Sequence, residues 1–355
     1  MKIKSVRPYT RKLPLVKPYT IAYHTFSDAE LVFLEIQLEN GIVGMGSASP
    51  AAFVVGEDAG QTMENLGSAF VRDITGKDIR NFQQIIYDSR QHFHRLPGTQ
   101  AAVDLALHDA FCQWLGIPVV DFYGRKVNGL PTSVTIGIKD VRETLQEAEA
   151  YISSGFRILK VKTGIQVTED MERVIKLRER FGEHIRIRVD ANQGYSLADL
   201  RKFINGTRNM GLELIEQPLP AGREAELLEL DESDRLYLAG DESIKDAGAA
   251  LEYSSRPQPF HIYNIKLMKC GGITGALEIA QVARLADIDL FWGCNDESIV
   301  SITAALHVAY ACPHTRYLDL DGSFDLIENS VSGGFILKDG HLFIGDQPGF
   351  GITRI

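Results

Sequence analysis

The chain has 355 residues, 45% of them hydrophobic, with a formal net charge of -10, enough to bury a large core and to predict one big domain with a smaller one beside it. The acidic balance argues against a nucleic-acid or membrane-surface partner, and the chain contains no run of 18 apolar residues to predict a membrane span. MKIKSVRPYT lacks the apolar core of a signal peptide, and Cys112, Cys270, Cys294 and Cys312 form no CxxC pair or metal-ligand spacing, so a reduced, cytoplasmic protein is expected.

In chain order, residues 2–10 and 29–47 read as three strands. The second and third, ELVFLEIQLE and IVGMGSAS, are joined by Asn40-Gly41, a two-residue hairpin signal. Tyr19 to Asp28 has no period and reads as a loop, as does the unusually apolar PAAFVVG from Pro50 to Gly56. Helical patterns follow at about 58–73, 79–94 and 98–115, the last ending at Gly116. His108 and Asp109 lie inside it and read as packing residues.

From about residue 130 the pattern becomes strand, helix, strand, helix. Apolar strand cores recur at 134–138, 156–162, 185–190, 212–216, 236–241, 261–266, 288–293 and 316–321, with helical stretches between them such as 142–154, 168–181, 197–210 and 273–286. Eight strands with helical crossovers predict a parallel α/β barrel. An open doubly wound sheet is the alternative, and no glycine-rich phosphate loop follows the first strand to support it. The last segment, GGFILKDGHLFIGD, predicts a hairpin around Asp339-Gly340 that leaves the barrel for the N-terminal part.

The active site of a parallel barrel lies at the C-terminal ends of its strands, so the last inward residue of each strand is the candidate. Strand two, RILKVKTG, offers Lys160 and Lys162 on one face. Two neighbouring ammonium groups are expected to lower at least one lysine pKa, which suits a general base; the plainer reading is a pair of lysines reaching solvent. Strand three offers Asp190, strand four Glu216, strand five Asp241, strand six Lys266, and strand eight Asp319 and Asp321. The three acids and Lys266 recur at intervals of about 25 residues, one per strand. Carboxylates converging there need a cation, and all-oxygen ligation suits Mg²⁺. The plainer reading is a set of internal salt bridges, and Arg188 reads as an interior partner. Lysines on strands two and six would flank the cation, a geometry that fits proton removal α to a carboxylate and proton return to the other face.

The motifs KVK at 160–162, VDANQ at 189–193, EQP at 216–218, DES at 241–243 and NIKLMKCGG at 264–272 resemble the enolase superfamily, muconate-lactonizing subgroup, and within it the dipeptide epimerases. Lys-base and Mg²⁺-enediolate chemistry is a known pattern of that superfamily. The resemblance spans essentially the whole chain. It implies a modified (β/α)7β barrel at 126–325, an α+β capping domain at 1–125, and a C-terminal segment at 326–355 returning to it. It implies one Mg²⁺ per subunit held by Asp190, Glu216 and Asp241, an acid/base pair of Lys162 and Lys266, Lys160 near the substrate carboxylate, and a homo-oligomer. Asp319 and Asp321 in YLDLDG match a DxD that holds a dipeptide ammonium group, with backbone capping as their plainer role. The resemblance further implies Thr135 on the first strand as a substrate contact and a supporting role for Glu297.

The expected activity is inversion of the C-terminal residue of a dipeptide. The alternatives are another reaction of the subgroup (N-acylamino acid racemisation, o-succinylbenzoate synthesis or cycloisomerisation) and a silent barrel kept as a binding protein, against which the intact lysines argue. Specificity is read from the loops. By the resemblance, His24 stands where family members that prefer Ala-Glu carry an arginine clamping the acidic side chain, and it makes a poor substitute for it. The segment 51–55 carries no charge, and Asp296 adds a negative one at the barrel mouth. Hydrophobic or cationic dipeptides are therefore expected over Ala-Glu.

Overall fold

A computed structural model describes residues 1–20 and 25–355. Three antiparallel strands, Ile3–Thr20, Thr25–Leu38 and Val43–Ala48, form the N-terminal sheet in sequence order. The expected loop at Tyr19–Asp28 is instead mostly strand: Tyr19 and Thr20 pair with Phe26 and Thr25, extending a long hairpin. Ladder hydrogen bonds decide this, and they have no side-chain period for a sequence to show. Gly41 sits at φ 91°, the left-handed conformation the tight turn after Asn40 requires.

The helix Pro97–Leu115 packs on this sheet. Ala102, Ala106 and Ala110 are fully buried, and Gly44 and Gly46 leave no room for a Cβ against them. Small residues on both faces thus bring helix and sheet into unusually close contact. The expected helices at 58–73 and 79–94 are shorter segments, Ala59–Leu66, Ala69–Arg72 and Phe82–His92. Pro50–Gly56, read as a loop, contains a short helix at Ala52–Val55 closed by Gly56 at φ 75°. As expected, His108 and Asp109 are internal. Asp109 accepts the Met45 and Phe350 N–H groups, and His108 bonds the Tyr123 hydroxyl at 2.6 Å.

Eight strands from Val134–Ile136 to Thr315–Leu318 form one sheet in sequence order, its ladders parallel throughout. A parallel bridge between Thr132 and Leu318, with Ser133 N–H donating to Leu318 O at 3.0 Å, links the first strand's approach to the last. Helices cover the outside, and their starts are legible: Asp140 caps Val141–Ser153, and Ser196 with Asp199 forms a capping box on Leu197–Thr207. This is the expected (β/α)7β barrel.

The C-terminal hairpin Phe335–Lys338/His341–Ile344 forms, and it pairs with Leu130–Pro131 just before the barrel. Residues after it reach the N-terminal part: Gly349 bonds the Ile117 and Val119 backbones, and Arg354 pairs with Glu35. Among the described residues no helix is long and apolar enough to cross a membrane.

Candidate active site

Strand register assembles the site. Lys162 lies directly beside Asp190, and Asp190 beside Glu216, across three neighbouring strands. Glu216 pairs with Ala239, which sets Asp241 just beyond the end of the fifth strand. Lys266 follows the sixth strand, at the position just before the short helix Leu267–Cys270. All five residues are nine-tenths or more buried. Period-two alternation on apolar strands is what turns them inward together.

Ammonium groups hold the carboxylates. Lys162 Nζ lies 2.7 Å from Asp190 Oδ2, and Lys266 Nζ lies 2.8 Å from Asp241 Oδ2. Lys160 Nζ sits among Asp190 at 3.1 Å, Glu216 at 2.7 Å and Asp319 at 2.8 Å. Burial would lower the Lys160 pKa, but the three acids outweigh it and raise it well above the ordinary lysine value. The expected depression by a neighbouring lysine is therefore overturned at Lys160, because three carboxylates lie closer to it than any effect of one cation can offset. Burial works to lower Lys266 as well, yet Asp241 and Glu216 together raise it.

The acids diverge. Burial works to raise Asp190, yet Lys162 and Lys160 bring it down to about 2. Asp241 is also lowered, by Lys266 and Lys269 against burial. Glu216 is pushed up to about 8, first by burial and then by the Asp190 charge. Its Oε2, close to Lys160 but without hydrogen-bond geometry, is a buried oxygen lacking a proper partner. Among the described residues no three such groups already stand at metal-binding separations. The donor set nevertheless fits a hard cation: three acids on adjacent strand ends, one of them short of positive charge, with only lysines compensating.

Above this floor lies a cavity of about 600 Å³. Lys160, Lys162, Asp241, Lys266, Asp319 and Asp321 line it, as do Thr135 and Asp296. Asp321 Oδ2 accepts the Thr135 N–H at 2.8 Å, while Asp319 Oδ1 accepts the Ser133 hydroxyl at 2.6 Å. Burial and the Asp319 charge raise Asp321 to about 7. Asp296 is half-buried, and its carbonyl accepts the Ser49 hydroxyl at 2.7 Å, tying the barrel mouth to the N-terminal part. Glu297 does not line the cavity; it is buried, accepts the Asn295 N–H, and is raised to about 7 by burial. Arg188 is an interior partner as expected, bonded to Glu213 and Leu318 O. His24 lies outside the described residues. Ala51 and Ala52 line the cavity, and so do the acids Asp28, Glu30, Glu147 and Asp325.

Some residues of the site escaped the sequence reading. Lys269 is buried and bonds both the carboxylate and the carbonyl of Asp241. Its spacing of three from Lys266 on one short helix was a usable signal. Asn264, two residues before Lys266 on the same strand face, donates to Glu216 Oε1 at 2.7 Å. Glu242 is buried beside Asp241, lines the cavity, and is raised to about 7 by burial and the Asp241 charge.

The chain resembles known proteins over its whole length. Residues 5–124 match the mandelate racemase / muconate lactonizing enzyme N-terminal domain, and residues 143–354 match the enolase C-terminal domain-like family. The chain is 48% identical to an L-Lys-D/L-Arg epimerase of Desulforapulum autotrophicum, covering 100% of both chains. It is 35% identical to a hydrophobic dipeptide epimerase of Enterococcus faecalis, again over 100% of each. A dipeptide epimerase from Methylococcus capsulatus, solved with Mg and L-Arg-D-Lys, superposes with a TM-score of 0.98 at 43% identity over 100% of both chains. The chain belongs to the mandelate racemase / muconate lactonizing enzyme family of the enolase superfamily.

Proposed function

We propose that this protein is a Mg²⁺-dependent dipeptide epimerase, an isomerase that inverts the C-terminal residue of dipeptides by proton transfer between two lysines. The observation that carries the reading is the placement of Lys162 and Lys266, from strands two and six, in one cavity around three convergent acids. Asp190, Glu216 and Asp241 would hold the cation, which supplies positive charge to offset the charge that develops on the substrate carboxylate. One lysine takes the α-proton and the other returns a proton to the opposite face. Lys160 stands by the substrate carboxylate, and Asp321 with Asp319 faces its ammonium group. An N-acylated amino acid offers no ammonium to that pair.

The preferred substrates are cationic dipeptides. The cavity wall carries Asp296, Asp28, Glu30 and Asp325 beyond the acids of the reaction centre, while Lys139 there is paired with Glu147, an environment that attracts Lys and Arg side chains and repels an acidic one. The L-Lys-D/L-Arg epimerase relative supports the same choice. A second reading, hydrophobic dipeptides, rests on Ala51 and Ala52 in the wall.

The reading extends to the molecule: a capping domain at 1–125, a barrel at 126–325 and a returning segment at 326–355, supported by the two family matches. It includes a homo-oligomer, as the family resemblance suggests, and a reducing compartment, which suits four unpaired cysteines.

The test is kcat/KM for L-Lys-L-Arg, L-Ala-L-Leu and L-Ala-L-Glu, with α-deuteron uptake in D₂O followed by mass spectrometry. L-Lys-L-Arg is expected to be best, L-Ala-L-Glu worst, and EDTA to abolish turnover until Mg²⁺ is restored. L-Ala-L-Glu as the best substrate, or undiminished turnover in metal-free protein, would overturn the reading.

A further inference from the structure

Lys266 and Lys269 together occupy Asp241. Lys266 Nζ bonds Oδ2 at 2.8 Å, and Lys269 bonds Oδ1 and the Asp241 carbonyl. A cation that binds Asp241 competes with these ammonium groups for its oxygens and repels them. Lys269 has other acceptors, the carbonyls of Asp241 and Asn264, and does not line the cavity. Lys266 has Asp241 as its sole hydrogen-bonded acceptor among the described residues. Lys266 lines the cavity through which a cation reaches Asp241 and Lys269 does not, so Lys266 is the group that gives way, and a buried ammonium without an acceptor is costly.

Glu242 supplies an acceptor. It is 6% exposed, lines the same cavity as Lys266, and its Oε2 has no hydrogen-bond partner among the described residues. Glu242 directly follows Asp241, whose carboxylate Lys266 bonds at 2.8 Å, so the two side chains enter the same part of the cavity. Its backbone is held on both sides. Gln217 Oε1 accepts the Asp241 N–H at 2.8 Å and the Ser243 N–H at 3.1 Å, and Gln217 Nε2 donates to Ser243 Oγ at 2.8 Å. Gln217 itself has φ 32°, a left-handed conformation that a glutamine adopts only where its surroundings impose it. The clamp fixes where the Glu242 side chain leaves the backbone.

We propose that Glu242 is a positioning residue that receives the Lys266 ammonium when Asp241 engages a divalent cation. The inference rests on the proposed Mg²⁺ site and deepens it: the acid/base lysine exchanges one buried carboxylate for another and stays charged and aimed at the substrate. Glu242 touches neither substrate nor cation in this role.

The experiment is calorimetric titration of Mg²⁺ into wild type, Glu242→Leu, Glu242→Gln, Lys266→Ala and the two double variants carrying Lys266→Ala. Glu242→Leu is expected to weaken Mg²⁺ binding about tenfold, and Glu242→Gln, which keeps an acceptor oxygen, by less. Both losses should vanish in the Lys266→Ala background, because the residue acts through that lysine. A loss that persists there would place Glu242 on the cation itself and overturn the proposal, as would wild-type affinity in the single variants. Should the leucine variant fail to fold, the glutamine pair carries the same comparison. Deuterium wash-in gives a second readout: Glu242→Gln should slow exchange from the substrate isomer served by Lys266 and leave the isomer served by Lys162 within about twofold. Equal slowing of both isomers would also overturn it. Absence of Mg²⁺ binding in wild type would instead refute the metal site of the proposed function.

Discussion

At the scale of single residues, the lysines differ in how the protein holds them. Lys160 is surrounded by three acids and cannot readily give up a proton, so it fits an electrostatic role. Lys162 and Lys266 each bond one acid and line the cavity, which leaves them free to reach a substrate. Lys162→Ala and Lys266→Ala are each expected to lower epimerisation by about a thousandfold or more. Each should retain α-proton exchange on one isomer in D₂O, Lys266→Ala on the L isomer and Lys162→Ala on the D isomer. Wild-type epimerisation by either variant would refute the two-lysine assignment. Asp296 acts on specificity alone in this scheme. Asp296→Asn should lower the Lys-Arg to Ala-Leu ratio of kcat/KM severalfold, with Ala-Leu little changed; an unchanged ratio removes Asp296 from the selecting wall.

Among the elements, the segment that covers the cavity is anchored by one acid. Glu57, next after the Pro50–Gly56 stretch, is fully buried at the start of the helix Pro97–Leu115. It accepts the Gly98 N–H at 2.8 Å, the Thr99 N–H at 3.1 Å, and the Thr62 and Thr99 hydroxyls. Leu96, at the N-cap, offers that helix no side-chain acceptor, so Glu57 satisfies its first N–H groups and meets the positive end of its dipole. Glu57→Ala should cost about 3 kcal/mol in urea denaturation, the cost of stranding buried donors. It should also raise KM, because the segment carrying Ala51 and Ala52 loses its fixed end. A variant as stable as wild type would show that water replaces the carboxylate.

Over the whole molecule, His307 joins the barrel to the rest of the chain. It lies on the helix Ile299–Ala311, its Nδ1 accepts the Val120 N–H at 2.9 Å, and its ring packs on Phe350. Burial, helped by the Arg125 charge, pushes its pKa from 6.5 to about 3. The folded chain thus binds fewer protons than the unfolded chain between those values. Its stability contribution is full above pH 6.5 and falls as pH drops through that window, by about 2 kcal/mol at pH 5. Buried acids such as Asp109, raised to about 6 by burial, work in the opposite direction. The informative quantity is therefore the difference between wild type and His307→Gln, measured by denaturation at pH 7 and pH 5. The variant should lose less stability on acidification, and an identical loss would exclude His307 as the source.

Local and periodic properties were determined by the sequence itself. Eight apolar strands recurring with helices between them announced the barrel, and the acids and lysines at the ends of those strands announced the candidate site, because side-chain direction along a strand follows from backbone geometry alone. Asn40-Gly41 set a turn for the same reason: its chemistry is local. What depends on distance along the chain was decided only by folding. Tyr19, Thr20 and Thr25 to Asp28 became strand because a partner was available to extend the ladder. The high Lys160 pKa came from acids on the third, fourth and eighth strands arriving around one ammonium group. Glu57 reached the start of a helix some forty residues away, and Lys269 shared an acid with Lys266. Charge and hydrogen-bond energies depend on separations in space, and register and packing set those separations.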